Sequence, residues 1–184
     1  MLSVTITGDN PISLADAKSH LRVAHTDDDT SIESLINSAF DEVERLTGRL
    51  FRTATCVLTC RSFPDDHLVL PRSPLVSLTS VSYRDTAGES QTLSNCLIDS
   101  GIPAAIEPAT GTTWPATQDR PDALTVTFTA GGTMPDSIRL AVLLLVDMEY
   151  HEAEPAKAAR INRRVESLCR PFFLRSDELI GIRE

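Results

Sequence analysis

Apolar residues recur along this chain at a helical period, then at a strand period, then at a helical period again. In the first stretch Ser13 opens SLADAKSHLRV, with Asp16 three positions on and Leu14, Ala17 and Leu21 on one stripe, which predicts a short capped helix. A longer helix is predicted next. Thr30 and Glu33 make a T-x-x-E capping box, Ile32, Leu35, Ile36, Ala39, Val43 and Leu46 follow at helical spacing, and Gly48 offers a left-handed C-terminal cap. A face that is apolar on one side only requires a partner surface.

From about residue 53 to 130 the period shortens. TATCVLTCRSF, LVSLTSVSY, QTLSNCLI and ALTVTFTA are rich in Thr, Val and Leu, and they are punctuated by Pro64, Pro71, Pro74, Pro103, Pro108, Pro115 and Pro121. This predicts a small antiparallel sheet, with the prolines at strand starts or edges because they donate no ladder hydrogen bond. Residues 100–121 read as a long loop anchored by Trp114.

Helical spacing returns at Pro135 and Asp136. Ile138, Ala141, Val142, Leu145 and Met148 form one stripe, but Leu140, Leu143, Leu144 and Val146 occupy most of the remaining surface, so this helix needs cover on several sides. A further helix is predicted from about residue 157, with Ile161, Val165, Leu168, Cys169 and Phe172 in register and Pro171 near its end. The expected fold is α+β: a helical bundle formed by the N- and C-terminal segments, with a small antiparallel β domain inserted between them. The corresponding boundaries are 1–52 for the first helical part, 53–134 for the β insertion, 135–174 for the second helical part and 175–184 for a tail.

Composition narrows the function. Seventeen Lys and Arg against 26 Asp and Glu give a net charge of -9, which argues against a free-standing nucleic-acid binder. The charge is uneven: residues 157–184 carry seven basic and four acidic groups, whereas residues 1–52 carry five basic and nine acidic ones. That polarity suits a solvated helix face or complementary charge toward a neighbour. Cys56, Cys60, Cys96 and Cys169 have no CxxC spacing and read as small core residues of a reducing compartment. The N-terminus has no basic, apolar leader pattern, and the run LAVLLLV at 140–146 is far short of the roughly 20 residues that span a bilayer, so synthesis in the cytoplasm and no membrane partner are expected.

No catalytic motif emerges. Asp27, Asp28 and Asp29 fail the EF-hand pattern, since Ile32 stands where the loop requires Gly, and they read as favourable charge at a helix N-terminus. His151-Glu152 lacks the second His of H-E-x-x-H, no glycine-rich phosphate loop or G-x-S-x-G is present, and His20, His25 and His67 lie far from any Cys. A non-enzymatic protein without cofactor or metal is expected.

In order along the chain, ISLADAKSHLRV, DDDTSIESLINSAFDEVERLTGR, LPRSPLVSLTSVSY, AIEPATGTTWPAT, RPDALTVTFTAGG, IRLAVLLLVDMEYHE and VESLCRPF resemble the head-tail connector (adaptor) proteins of long-tailed double-stranded DNA phages and of gene transfer particles. The long helix departs from the family's frequent Tyr-x-x-Arg-Glu ending, reading Tyr150-His151-Glu152 without the Arg. The resemblance implies a virion protein of the neck, a homo-oligomeric ring of about twelve copies below the portal protein. Double-stranded DNA would pass through it, and a stopper or tail-completion protein would attach below. Another neck ring protein, such as a tail-completion protein, and a monomeric β-type binding module are the rival readings. On the ring reading, Leu140, Leu143 and Leu144 with Asp27, Asp28 and Asp29 are the expected subunit-interface residues. Arg160, Arg163, Arg164, Arg170, Arg175 and Arg183 are expected to dock on the portal, and Pro71 and Pro74 to stiffen the approach to the sheet and fix the pose of the β domain.

Overall fold

In the computed structural model, residues 1–174 are described here. They form α+β architecture in two units: Met1–Gly8 with Thr53–Gly132, and Asp9–Arg52 with Thr133–Phe173.

The first unit is the sheet unit. Its larger sheet is antiparallel, in the order β1-β2-β8-β4-β5, from strands β1 (Leu2–Ile6), β2 (Ala54–Cys60), β4 (Leu75–Arg84), β5 (Ser90–Thr92) and β8 (Leu124–Ala130). Side chains alternate across the pleat. Ala54, Cys56 and Leu58 of β2 and Leu124, Val126, Phe128 and Ala130 of β8 are buried, while the threonines between them face outward. A smaller sheet runs β3-β7-β6, from β3 (Leu68–Val69), β6 (Cys96–Asp99) and β7 (Ala105–Pro108).

Three expectations change here. Residues 1–8 do not belong to a helical part: Leu2, Val4 and Ile6 alternate with Ser3 and Thr5, a strand period, and pair in register with Leu58, Cys56 and Ala54. The insertion holds two sheets, not one. The stretch 100–121 is not wholly loop, because Ala105 and Ile106 bury themselves against β3 as part of β7. Trp114 anchors as expected: its ring stacks on Phe63 at 4.6 Å, Phe63 meets Tyr83 of β4 edge-on at 5.8 Å, and the indole N–H donates to the Asp66 carbonyl at 2.9 Å.

The second unit is helical: α1 (Leu14–Leu21), α2 (Asp29–Thr47), α3 (Asp136–Tyr150) and α4 (Pro155–Cys169), closed by a 3-10 turn over Arg170–Phe172. Ser13 caps α1 by accepting from the Asp16 N–H, and the Asp16 carboxylate accepts from the Ser13 N–H in return. The expected Thr30 box is not used. Helix α2 begins a residue before Thr30, at Asp29, and its N-cap is Asp28, with no side-chain cap bond. Gly48 ends α2 at φ 73°. Helix α4 starts two residues earlier than predicted, with Pro155 in the first turn, where its missing N–H costs nothing. The core joins segments from both chain ends, including Ile32, Ile36, Phe40, Val43, Ile138, Val142, Val146 and Val165, with Phe51 contributed by the strand-ward end of α2's exit.

Candidate functional site

No group of three His, Cys, Asp or Glu side chains able to hold a metal occurs among the described residues, and no described helix is long and apolar enough to cross a membrane. The chemistry on offer is that of surfaces.

Helix α3 is the first. Ile138, Ala141, Val142, Leu145 and Val146 are buried, so the helix is covered over a wide arc. Leu143 and Leu144 pack only partly against the core, and Leu140 keeps 38% of its surface exposed. Toward the C-terminal end of α3, α2, α3 and α4 leave a groove of about 460 Å3. Ala39, Leu145 and Val165 lie buried in its floor, while Glu149 and Glu166 stand exposed on its rim. Glu42 completes the rim, and two hydrogen bonds from Arg45, at 2.7 and 2.8 Å, hold its carboxyl below the usual carboxylate range. The groove was not legible in the sequence, since the α2 wall lies about a hundred residues from the α3 and α4 walls. The sequence signal was only the surplus of leucine on α3.

Of the acidic trio, two residues have partners within the chain. Asp28 accepts from the Tyr150 hydroxyl at 2.7 Å, and this bond is the first cause holding that phenol above its ordinary pKa. Asp29 forms a salt bridge with Lys18 at 2.5 Å, and Lys18 also donates to the His25 carbonyl. Asp27 is exposed. Asp28 and Asp29 thus tie α1, α2 and α3 together.

Arg160, Arg163 and Arg164 of α4 and Arg170 of the 3-10 turn are all exposed. Arg175 and Arg183 lie outside the described residues. Pro71 and Pro74 fall between β3 and β4. Pro74 immediately precedes β4 and its carbonyl accepts the Gly131 N–H at 2.9 Å, which ties the start of β4 to the end of β8.

One cluster has no counterpart in the sequence reading. Glu44 of α2 is 5% exposed, and one carboxylate oxygen accepts the N–H groups of Phe51 and Arg52 at 2.9 and 3.0 Å. The other oxygen accepts the Arg52 guanidinium at 2.6 Å, and that guanidinium lies over the Phe40 ring at 5.3 Å. Burial opposes the Arg52 charge, but Glu44 and Asp41 outweigh it and hold its pKa above the ordinary value. An i, i+8 spacing across a helix end carries no sequence signature, which is why this brace went unseen.

Of the four free cysteines, Cys56 and Cys169 are buried in the core as expected, whereas Cys60 and Cys96 are only half-buried. Burial pushes the thiols of Cys56 and Cys169 up to about 11.

Against known proteins, the family model described as Head completion protein matches residues 11–161. A chain from the virion of a native gene transfer agent (GTA) particle is similar in fold, with a TM-score of 0.76 and 20% identity over 95% of this chain and 96% of that one. Chains from the neck of an empty GTA particle at C6 symmetry (TM-score 0.71, 20% identity, 94% of this chain and 96% of that one) and of a native particle at C12 symmetry (0.70, 19%, 94% and 96%) are similar too. No curated protein sequence matches.

Proposed function

The chain belongs to the head completion protein family and is a structural protein of the virion, and from that premise we propose that it forms a ring of identical copies in the neck, between the portal and the tail. The observation that carries the ring is the unfinished apolar side of α3, with Leu140 exposed and Leu143 and Leu144 half-buried, together with a separate apolar-floored groove between α2, α3 and α4. A lone subunit would leave this surface in water, and identical copies related by rotation cover it repeatedly. The similar chains come from necks of C6 and C12 symmetry, and a count of about twelve is carried over from them to this chain.

The role is mechanical and has no catalytic step. About twelve copies at -9 each sum to on the order of -100, so a channel wall sharing that sign repels phosphates within a Debye length of roughly 10 Å and lets double-stranded DNA slide. Of the six arginines expected at the portal, Arg163 and Arg170, opposite the buried line of α4, are assigned that role with Arg175 and Arg183, which lie outside the described residues, while Arg160 and Arg164 stand on the flank of α4 open to a neighbouring copy. The opposite face receives a stopper or tail-completion protein. Pro71 and Pro74 keep the start of β4 in one conformation, so a partner bound there orders little chain on docking.

The test is imaging of particles that carry a labelled copy of this chain. A ring at the neck is the expected outcome; a single copy, or a location elsewhere in the particle, refutes the proposal.

A further inference from the structure

Helix α4 separates two surfaces of opposite charge. At about 100° per residue, Asn162 and Glu166 fall to one side of the buried line Ile161–Val165–Cys169, and Lys157, Arg160 and Arg164 fall to the other. The first side is a wall of the acid-rimmed groove. The second is an exposed basic stripe with half-buried Leu168 beside it.

We propose that the groove between α2, α3 and α4 is the seat for the Lys157–Arg160–Arg164 side of α4 from the adjacent copy, a head-to-tail contact repeated around the ring. This rests on the ring reading above and names its interface. The groove's composition selects the occupant: a floor of Ala39, Leu145 and Val165 suits the methylene stems of Arg and Lys, and Glu149 and Glu166 suit their cationic heads, since Glu42 is already paired with Arg45, which lines the groove too. Among the described residues Glu149, Glu166, Arg160 and Arg164 form no side-chain hydrogen bond or salt bridge, so both sets of charges are available to each other. Lys157 has only a 3.9 Å approach to Asp147.

Half-buried Leu168 lies on the basic side of the incoming helix and adds an apolar contact to the groove's Ala39–Leu145–Val165 floor. The two surfaces are different, so the contact is heterologous, the type that generates rings. A two-fold pairing of like with like would set arginine against arginine or glutamate against glutamate, and is disfavoured.

The experiment is a charge swap in particles assembled with variant chains, using E149R/E166R, R160E/R164E and the fourfold combination. All four side chains are exposed, so circular dichroism and melting of each purified variant should match the wild type. Each double reversal should lower incorporation into necks by more than about tenfold, and the combination should recover most of the loss, since each seat then meets its complement. Wild-type incorporation should also fall as salt is raised during assembly. Double variants that incorporate normally, or a fourfold variant as poor as the doubles, overturn the proposal. Loss confined to R160E/R164E overturns it too, because the arginines would then serve another partner. These outcomes leave the ring itself intact, whereas wild-type particles imaged without a ring remove the premise and not merely the seat.

Discussion

The Glu44–Arg52 brace supports a quantitative prediction. Glu44→Ala removes the acceptor of two buried backbone N–H groups and leaves the Arg52 guanidinium, 6% exposed, without its buried counter-ion. Breaking a buried ion pair by deleting one partner costs about 3–5 kcal/mol, and each orphaned buried donor about 1–3 kcal/mol. Asp41 offers little compensation, since its side chain is 71% exposed and its interaction with Arg52 is screened. We therefore expect Glu44→Ala to destabilise the helical unit by at least about 4 kcal/mol. Glu44→Gln should cost less, because the amide oxygen still accepts from Phe51 and Arg52, although its NH2 now faces the guanidinium. Arg52→Met alone leaves a buried carboxylate without its cation, while Glu44→Gln with Arg52→Met removes both charges and keeps the two N–H bonds. The double variant should therefore be more stable than the sum of the singles by about 0.5–3 kcal/mol. Urea unfolding measures this, with far-ultraviolet circular dichroism following the helices and fluorescence of the single tryptophan, Trp114, following the sheet unit separately. A Glu44→Ala midpoint close to wild type, or equal costs for Ala and Gln, would refute the brace.

Other consequences follow from single sites. Asp16 is held below the usual carboxylate range, first by the Ser13 hydroxyl, then by the Ser13 N–H and by Arg139. A depressed folded pKa contributes stability that is present above the ordinary carboxylate pKa and is lost as pH falls through the depressed value, so Asp16→Asn should flatten the acid limb of a helix-content titration. Burial raises the pKa of all four thiols, but only Cys56 and Cys169 are fully shielded from solvent, so alkylation of the native chain should label Cys60 and Cys96 first; equal rates at all four would contradict the fold. At Gly132, φ is +86° and an added Cβ would stand 2.8 Å from the Thr53 hydroxyl oxygen. Gly132→Ala should lower sheet-unit stability by more than about 1 kcal/mol in a tryptophan-monitored melt, and adding Thr53→Ala should restore only the steric share of that loss.

Which of these features the sequence disclosed depends on whether their cause is local. The α1 capping box, the Gly48 cap and the alternation of β2 and β8 each arise within a few residues of one another, and each was legible. Strand β1 was missed although its alternation is plain, because five residues are too few to separate a strand from a helix lead-in until Ala54–Leu58 is seen to pair with them. Helix α3 shows the opposite case. Its surplus leucines predict cover on several sides, but a one-dimensional pattern cannot say which of them the chain's own helices supply. Val146 is fully buried within its own unit while Leu140 is not, and that distinction comes from where α1, α2 and α4 happen to pack. The groove inherits the same limit: Glu42, Glu149 and Glu166 are ordinary exposed helix acids in sequence, and they become a rim only when three helices bring them around one apolar floor. Charge that is solvated on a single helix thus acquires a direction from packing. In a head-to-tail assembly such a direction would specify the order of the copies without requiring any one contact to be strong.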